Sequence, residues 1–472
     1  MNKLSKSTKL AYGIGQTGWA AKDTCFQFFL FFYYTQILGL SPGLAGLAAL
    51  LALIADGITD PIIGQISDNF GKNKWGRRHP FMIVAVLPFS LALIAIFNPP
   101  VGFSSLELFS WFLVWAIIVR TFLTLFSVPH MALGAELSTD YSERTSIAVY
   151  RTVSTYLAAI VIQVCAWFYF IPTAMTSGDV ASGYQNVGLA AAVLALLGMT
   201  VSIFGTRKRI PHLPTISLQQ QSRPWYLAFA DVVGLLRYPA ARVLLLSNLV
   251  MISAMGIGNT MLIHVNTYFY GFSSQQIGIF MLCVLVALVP ASSIAMKWTR
   301  AYGKRAAIVK MILVIAVIGP IPFILHILGL LPENGSPLLL LIVGAFVFVH
   351  QSFYIAHLTI SGSMLPDVAD EMELASSMRQ EGMLNSALML TQKITFGLGA
   401  FIGGLAIESA GITGTIESSE VTAEMLFRLG MAAGPGVAIF SLLGAFMYSR
   451  YPLTKQRYSE VRRRLDERAS RI

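Results

Sequence analysis

The chain has 472 residues, 55% of them hydrophobic and only 12% charged, with a mean hydropathy of +0.67 and a formal net charge of +10. A soluble domain carries roughly a quarter charged residues, so this balance excludes an ordinary water-soluble globule. Apolar runs long enough to cross a roughly 30 Å hydrocarbon core recur along the chain and exceed the ~10-residue alternating strands of a barrel, which leaves an all-α polytopic membrane protein.

The first predicted span, about 10–37, carries the aromatic run "CFQFFLFFYYTQ" together with Ala20, Asp23 and Gln27. It follows "MNKLSKSTKL", which has no small-residue cleavage site, so no removable signal peptide is expected. The second, about 43–67, holds "LLALIADGITDPIIGQI", where Asp56 and Asp60 at i and i+4 share one helix face. Spans three and four, about 79–98 and 107–137, come next, and the fourth contains Thr124, Ser127 and His130. Spans at about 146–171 and 185–205 complete a first six-helix group, residues 1–205. The longest polar interruption, residues 206–237, reads as a cytoplasmic linker. A second group of six, residues 238–450, is predicted at about 238–270, 275–298, 305–329, 337–365, 379–409 and 423–449. Gln392 and Lys393 lie mid-way along its eleventh span, and a basic cytoplasmic tail, 451–472, closes the chain. Cys25, Cys165 and Cys283 fall in spans at unrelated spacing, so neither a disulfide framework nor a metal cluster is implied.

Loop charge orients these spans, because Lys and Arg are retained on the cytoplasmic side. "GKNKWGRRHP", "TRKRIPHLP", "KWTRAYGKR" and the tail are basic, whereas the loops between them, such as "NPPVGFSS" and "GLLPENGSP", contain no Lys or Arg. That alternation predicts twelve spans with both termini cytoplasmic, and it explains the net positive charge as topology rather than nucleic-acid binding. The two halves also echo each other. "GQISDNFGKNKWGRR" after the second span parallels "KWTRAYGKRAAI" after the eighth, and "GAELSTDYSERTSIAVYR" after the fourth parallels "MLPDVADEMELASSMRQE" after the tenth. Two parallel six-helix bundles around a midplane site are the plan of the major facilitator superfamily. The stretch with Gly64, Asp68, Gly71, Gly76, Arg77 and Arg78 resembles its loop signature. Charges in the paired loops suggest a cytoplasmic gate, with Glu136, Asp140, Arg144 and Arg151 in one half and Asp367, Asp370, Glu371, Arg379 and Glu381 in the other. The competing reading is solvated loop charge, since an exposed ion pair contributes only ~0–1 kcal/mol.

An ionised side chain at mid-membrane costs about 2.5–3.5 kcal/mol on insertion scales and usually faces a pathway. Asp56, Asp60 and Lys393 are such residues. Two adjacent carboxylates in a low dielectric repel, so one takes a proton unless a cation sits between them. A small monovalent ion with oxygen ligands resolves the repulsion, with the hydroxyls of Thr59 and Thr124 completing its shell and Lys393 neutralising the pair in its absence. A static Asp–Lys bridge is the structural alternative. A metal enzyme site is disfavoured, because no His or Cys accompanies the carboxylates at ligand spacing. His130 is open to three roles: proton coupling, a hydrogen-bonded helix residue, or a substrate contact. His264, His350 and His357 have no carboxylate at helical spacing and read as packing or cavity polar groups.

"TKLAYGIGQTG", "ADGITDPIIGQISD", "WGRRHPF", "VPHMALGAELSTDYSERTSIAVYR" and "LPDVADEMELASSMRQEG" resemble the glycoside–pentoside–hexuronide:cation symporters, the family of melibiose permease, from the first span to the eleventh. The resemblance implies that Asp56 and Asp60 bind the coupling sodium with Thr124 nearby, and that Lys393 is linked to cation and substrate. Melibiose permease also grips its sugar with an aspartate on each of the first and fourth spans. Those positions fall here on Ala20, with Asp23 nearly one turn on, and on Ser127. The family includes sodium-dependent lysophospholipid symporters that lack the sugar acids too. Aromatic and apolar surface on the first and fourth spans would suit an acyl chain, with Lys393 or Arg151 available to a phosphate. Gln27 and Gln392 would serve a glycoside. The expectation is therefore a sodium-coupled symporter, with Li⁺ or H⁺ as alternative ions, that works by alternating access as a monomer in the inner (plasma) membrane. It would catalyse no reaction and need no cofactor. The substrate leans to a single-chain, lysophospholipid-like amphiphile. A glycoside is the alternative, and an uncoupled scramblase or facilitator is the rival mechanism.

Overall fold

Many of the long apolar runs begin just after a residue that can cap a helix. Ser41 Oγ accepts the Leu44 N–H at 3.3 Å, with Pro42 at the first helical position. Ser104 and Glu107 close a reciprocal capping box, and Asp140 and Asp179 accept the amides of Glu143 (2.8 Å) and Ser182 (3.2 Å). These caps satisfy donors that a helix start otherwise leaves orphaned. In the computed structural model the described residues are 4–70, 75–138, 140–212, 233–376, 381–416 and 420–470. Among them there is no strand. Ten helices among the described residues are long and apolar enough to cross a membrane, so this is a multi-pass membrane protein.

The chain divides into two compact units. The first, Met1–Trp225 with Thr413–Ile416, contains α1 (Lys6–Ile14), α2 (Thr17–Thr24), α3 (Pro42–Asn69), α4 (His79–Ile96), α5 (Ser105–Glu136), α6 (Tyr141–Cys165), α7 (Ile171–Ser177) and α8 (Val180–Arg207). The predicted first span is a relay, because α2 passes into the π-helical segments Cys25–Leu30 and Tyr33–Ile37. Most of its aromatic run serves packing. Phe29, Tyr33 and Tyr34 are fully buried, and the two tyrosine hydroxyls donate to the carbonyls of Phe97 (3.0 Å) and Ile96 (2.7 Å) at the end of α4. The α5 helix lies along both α3 and α4, while α1 packs on α6 and α8. Where Tyr12 crosses Gly134, a Cβ on the glycine would sit 2.1 Å from the tyrosine hydroxyl, so this crossing tolerates no side chain.

The second unit, Tyr226–Ile412 with Glu417–Ile472, contains α9 (Pro239–His264), α10 (Ser274–Val286), α11 (Leu288–Ile318), α12 (Ile321–Ile327), α13 (Pro337–Ser376), α14 (Glu381–Ser409), α15 (Ala423–Met431), α16 (Val437–Ser449) and α17 (Lys455–Ala469). The boundary predicted between the spans at 275–298 and 305–329 falls where the backbone leaves helical geometry. Within α11 the helical path breaks at Gly303, whose φ of 74° suits a residue without a Cβ. Small residues set the α9–α14 contact: a Cβ on Gly399 would meet the Ser253 carbonyl at 2.4 Å, the close backbone approach favoured between helices in lipid. The basic tail is the helix α17, and it packs against α13. Of the predicted linker 206–237, residues 213–232 lie outside the described residues.

Candidate cation site

Two i, i+4 pairs meet in register where α3 lies along α5. Asp56 and Asp60 project from α3; Arg120 and Thr124 project from α5. Arg120 Nη1 donates to Asp56 Oδ2 at 3.4 Å, and Thr124 Oγ1 stands 2.8 Å from Asp60 Oδ1 and 3.2 Å from Asp56 Oδ1. The contacts advance in the same order along both helices, so α3 and α5 run in the same direction here. Thr124 has one proton to give, and the shorter distance assigns it to Asp60. Its lone pairs and both carboxylates then present oxygen to the space between them, the ligand type a hard monovalent cation takes. Pro61 adds a further feature, since it removes the amide that would bond the Gly57 carbonyl one turn earlier.

Thr59 behaves differently from expectation. Its hydroxyl donates to the Asp56 backbone carbonyl at 3.2 Å, on its own helix, rather than facing the carboxylates. Arg120 was not anticipated. It is buried, with its guanidinium over the Phe26 ring at 5.0 Å, and Asp56, Asp23 and Asp60 all act on its charge. The signal was present, because a lone arginine inside "WFLVWAIIVRTFLTLF" is as conspicuous as Lys393 and stands four residues before Thr124.

The remaining candidates have distinct surroundings. Ala20 is fully buried in packing, whereas Asp23, Gln27 and Ser127 are half-buried. Gln27 Nε2 donates to Asp23 Oδ2 at 2.8 Å, and Lys22 approaches the other oxygen at 3.5 Å. His130 is fully buried. Its Nε2 donates to the Tyr12 carbonyl at 3.0 Å and lies 3.2 Å from Ser202 Oγ, and its ring stacks on Tyr12 with centroids 4.3 Å apart. His130 is thus hydrogen-bonded and packed within the first unit. Arg151 faces the Tyr12 hydroxyl. In the second unit Gln392 and Lys393 are half-buried on α14.

The gate candidates have partners within their own units. Glu136 Oε1 accepts from Arg77 at 2.5 Å and Arg78 at 3.0 Å, and Arg78 also reaches Asp68 and Ser67, each at 2.7 Å. Asp140 caps α6, while Arg144 Nε donates to the Ser138 carbonyl at 2.8 Å, so both hold helix ends. Asp367 pairs with Lys304 at 2.6 Å. Asp370 accepts from Arg462 at 3.2 Å and the Tyr458 hydroxyl at 3.0 Å, and Glu371 accepts from Arg457 at 3.4 Å, all three donors lying on α17. Arg379 lies outside the described residues; Glu381 begins α14. Lys9, which pairs with Glu143 at 2.7 Å, is a further contributor on the first unit.

A family model described as MFS/sugar transport protein matches residues 11–455. The chain belongs to that family. This agrees with the resemblance to glycoside–pentoside–hexuronide:cation symporters. An uncharacterized symporter of Synechocystis sp. is 26% identical, aligned over 99% of this chain and 97% of its own length. The sodium-dependent lysophosphatidylcholine symporter 1 of Gallus gallus is 24% identical over 98% of this chain and 90% of its own. Among solved structures, the inward-open xylose transporter XylE of E. coli superposes with a TM-score of 0.60 over 97% of each chain at 14% identity, a likeness of fold. The relatives and structural neighbours of this major facilitator chain are transporters.

Proposed function

We propose that the protein is a cation-coupled symporter working by alternating access, with sodium bound between Asp56 and Asp60. The observation that carries this reading is the Thr124 hydroxyl bridging two intramembrane carboxylates that stand one turn apart. An arrangement of two buried acids is unfavourable when both are ionised and a cation relieves it. Cation binding in the first unit prepares the carrier for substrate, and Lys393 supplies charge from the second. Because the two binding free energies are linked, substrate tightens sodium binding by the factor with which sodium tightens substrate binding.

For the substrate, a lysophospholipid-like amphiphile is favoured. The sugar-gripping acids are replaced by a buried alanine at position 20 and by Ser127, and the similarity to the sodium-dependent lysophosphatidylcholine symporter 1 of Gallus gallus supports the choice. A glycoside remains the second reading, because Asp23 and Gln27 form a polar pair on the first span and the family description is sugar transport. Proteoliposomes with and without a sodium gradient, offered labelled lysophosphatidylcholine and a panel of glycosides, test both. Sodium-driven uptake of the lysolipid supports the first reading, sodium-driven uptake of a sugar alone supports the second, and uptake indifferent to sodium identifies an uncoupled scramblase or facilitator.

A further inference from the structure

Arg120 has no part in the coupling scheme above, yet it stands at the edge of the site against Asp56. Removing a guanidinium from water costs several kcal/mol, which its partners offset only when the pairing is well made. Here it is loosely made. The 3.4 Å contact to Asp56 is the one hydrogen bond of the guanidinium among the described residues, whereas charge-assisted N–H···O bonds are usually about 2.7–2.9 Å. Its Nε is buried with no acceptor among the described residues. A buried donor without an acceptor calls for an explanation, and a bound group that supplies the acceptor is one. The Phe26 ring lies 5.0 Å from the guanidinium carbon, a cation–π contact that leaves the N–H groups of Arg120 available for acceptors. Asp23 is near in charge, but Gln27 and Lys22 engage both of its oxygens.

Cation and arginine compete for Asp56. An ion lodged beside Asp60 and Thr124 draws on the same Asp56 carboxylate that holds Arg120. The geometry points to a hand-off: the entering monovalent cation replaces Arg120 as the counter-charge of Asp56, and the released guanidinium takes an anionic group of the substrate, a phosphate, sulfonate or carboxylate. The inference rests on the symport reading and adds to it the charge of the substrate. It also gives coupling a physical cause, since the anion site is completed only after the cation has arrived. A static Asp56–Arg120 lock between α3 and α5 is the competing account, and it gives no preference between anionic and neutral ligands.

The test uses the full chain in nanodiscs, with sodium titrated by calorimetry alone and in the presence of matched probes. One pair is lysophosphatidylglycerol and a monoacylglycerol of the same chain; the other is methyl glucuronide and methyl glucoside. In the unmutated protein, the anionic member of one pair is expected to tighten sodium binding about tenfold, within the usual range of coupling, while its neutral partner leaves it unchanged. Which pair responds separates a lipid source of the anion from a sugar source. With Arg120→Gln, sodium alone binds about tenfold tighter once the competing charge is gone, and the anionic advantage disappears. Arg120→Lys keeps the charge and so retains sodium affinity with part of the advantage. Equal responses to anionic and neutral partners in the unmutated protein overturn the hand-off, as does Arg120→Gln binding sodium no tighter. Absence of sodium binding by the unmutated protein sinks the symport reading itself and takes the hand-off with it.

Discussion

Replacing Asp60 with asparagine removes one charge from the site while keeping the shape and an acceptor for the Thr124 hydroxyl. The distances from Thr124 Oγ1 put the nearer oxygens of Asp56 and Asp60 no more than about 6 Å apart, so an ion between them lies within about 4 Å of each. At an effective dielectric of about 20, a unit charge at 4 Å contributes about 4 kcal/mol, and each 1.4 kcal/mol is a factor of ten in affinity. Asp56 is meanwhile left facing Arg120, which further weakens its hold on an ion. Sodium affinity is therefore expected to fall by two to three orders of magnitude in Asp60→Asn. Sodium-driven accumulation in proteoliposomes should disappear, because the gradient no longer has a site through which to act. Calorimetric titration with sodium gives the first quantity and gradient-driven uptake the second. An Asp60→Asn protein that binds sodium within about threefold of the unmutated one refutes the placement of the ion between these carboxylates.

Thr124→Val keeps the volume and deletes the bridging hydroxyl; a lost hydrogen bond of about 1–1.5 kcal/mol should weaken sodium binding roughly tenfold, and an unchanged titration removes Thr124 from the ligand set. Glu136→Gln strips Arg77 and Arg78 of their shared carboxylate, and because both arginines are largely buried the change should destabilise the first unit by about 3 kcal/mol in a thermal unfolding assay. A loss below about 0.5 kcal/mol would mark the cluster as solvated. The Tyr458 phenol is pushed up to about 12 by burial, aided by the hydrogen bond it donates to Asp370. A group raised in the folded state stabilises fully below its ordinary value of 10.0 and loses that contribution as pH rises through its folded value. Docking of α17 should hold at neutral pH and loosen between about pH 10 and 12, read as protease sensitivity of the tail; Tyr458→Phe, which has no proton to lose, should show a flatter profile over that window.

Much of the architecture could be read from residue order because a bilayer admits few solutions. Long apolar runs had to be helices, and the structure caps their starts at Ser41, Ser104 and Asp140. What could not be read was how one long run subdivides. The π-helical turns at 25–30 and 33–37 depend on packing against neighbours, which hydropathy does not record. At the site, spacing brought Asp56 and Asp60 onto one face, and Thr124 joins them because α5 runs in register with α3. Thr59 shows the limit of that reasoning. Its hydroxyl is near in sequence but has a closer acceptor in its own helix, the usual competition for threonine inside a helix. Arg120 carries the same signal as Lys393, a lone cation in an apolar run, but only the packing of α5 on α3 brings it to the acidic pair. The paired loop charges stand out in the sequence, but the tail residues that pair with Asp370 and Glu371 belong to no local pattern.

That tail has a practical consequence. The helix α17 holds Asp370 and Glu371 through Tyr458, Arg462 and Arg457 on one side, while Arg463 and Arg464 stay largely exposed on the other. The helix α17 is thus a working part of the second bundle rather than a convenient handle. A fluorescent reporter or affinity tag fused there pulls on the clamp over α13, whereas cutting the chain after Thr454 would take the clamp away and leave two acids facing water.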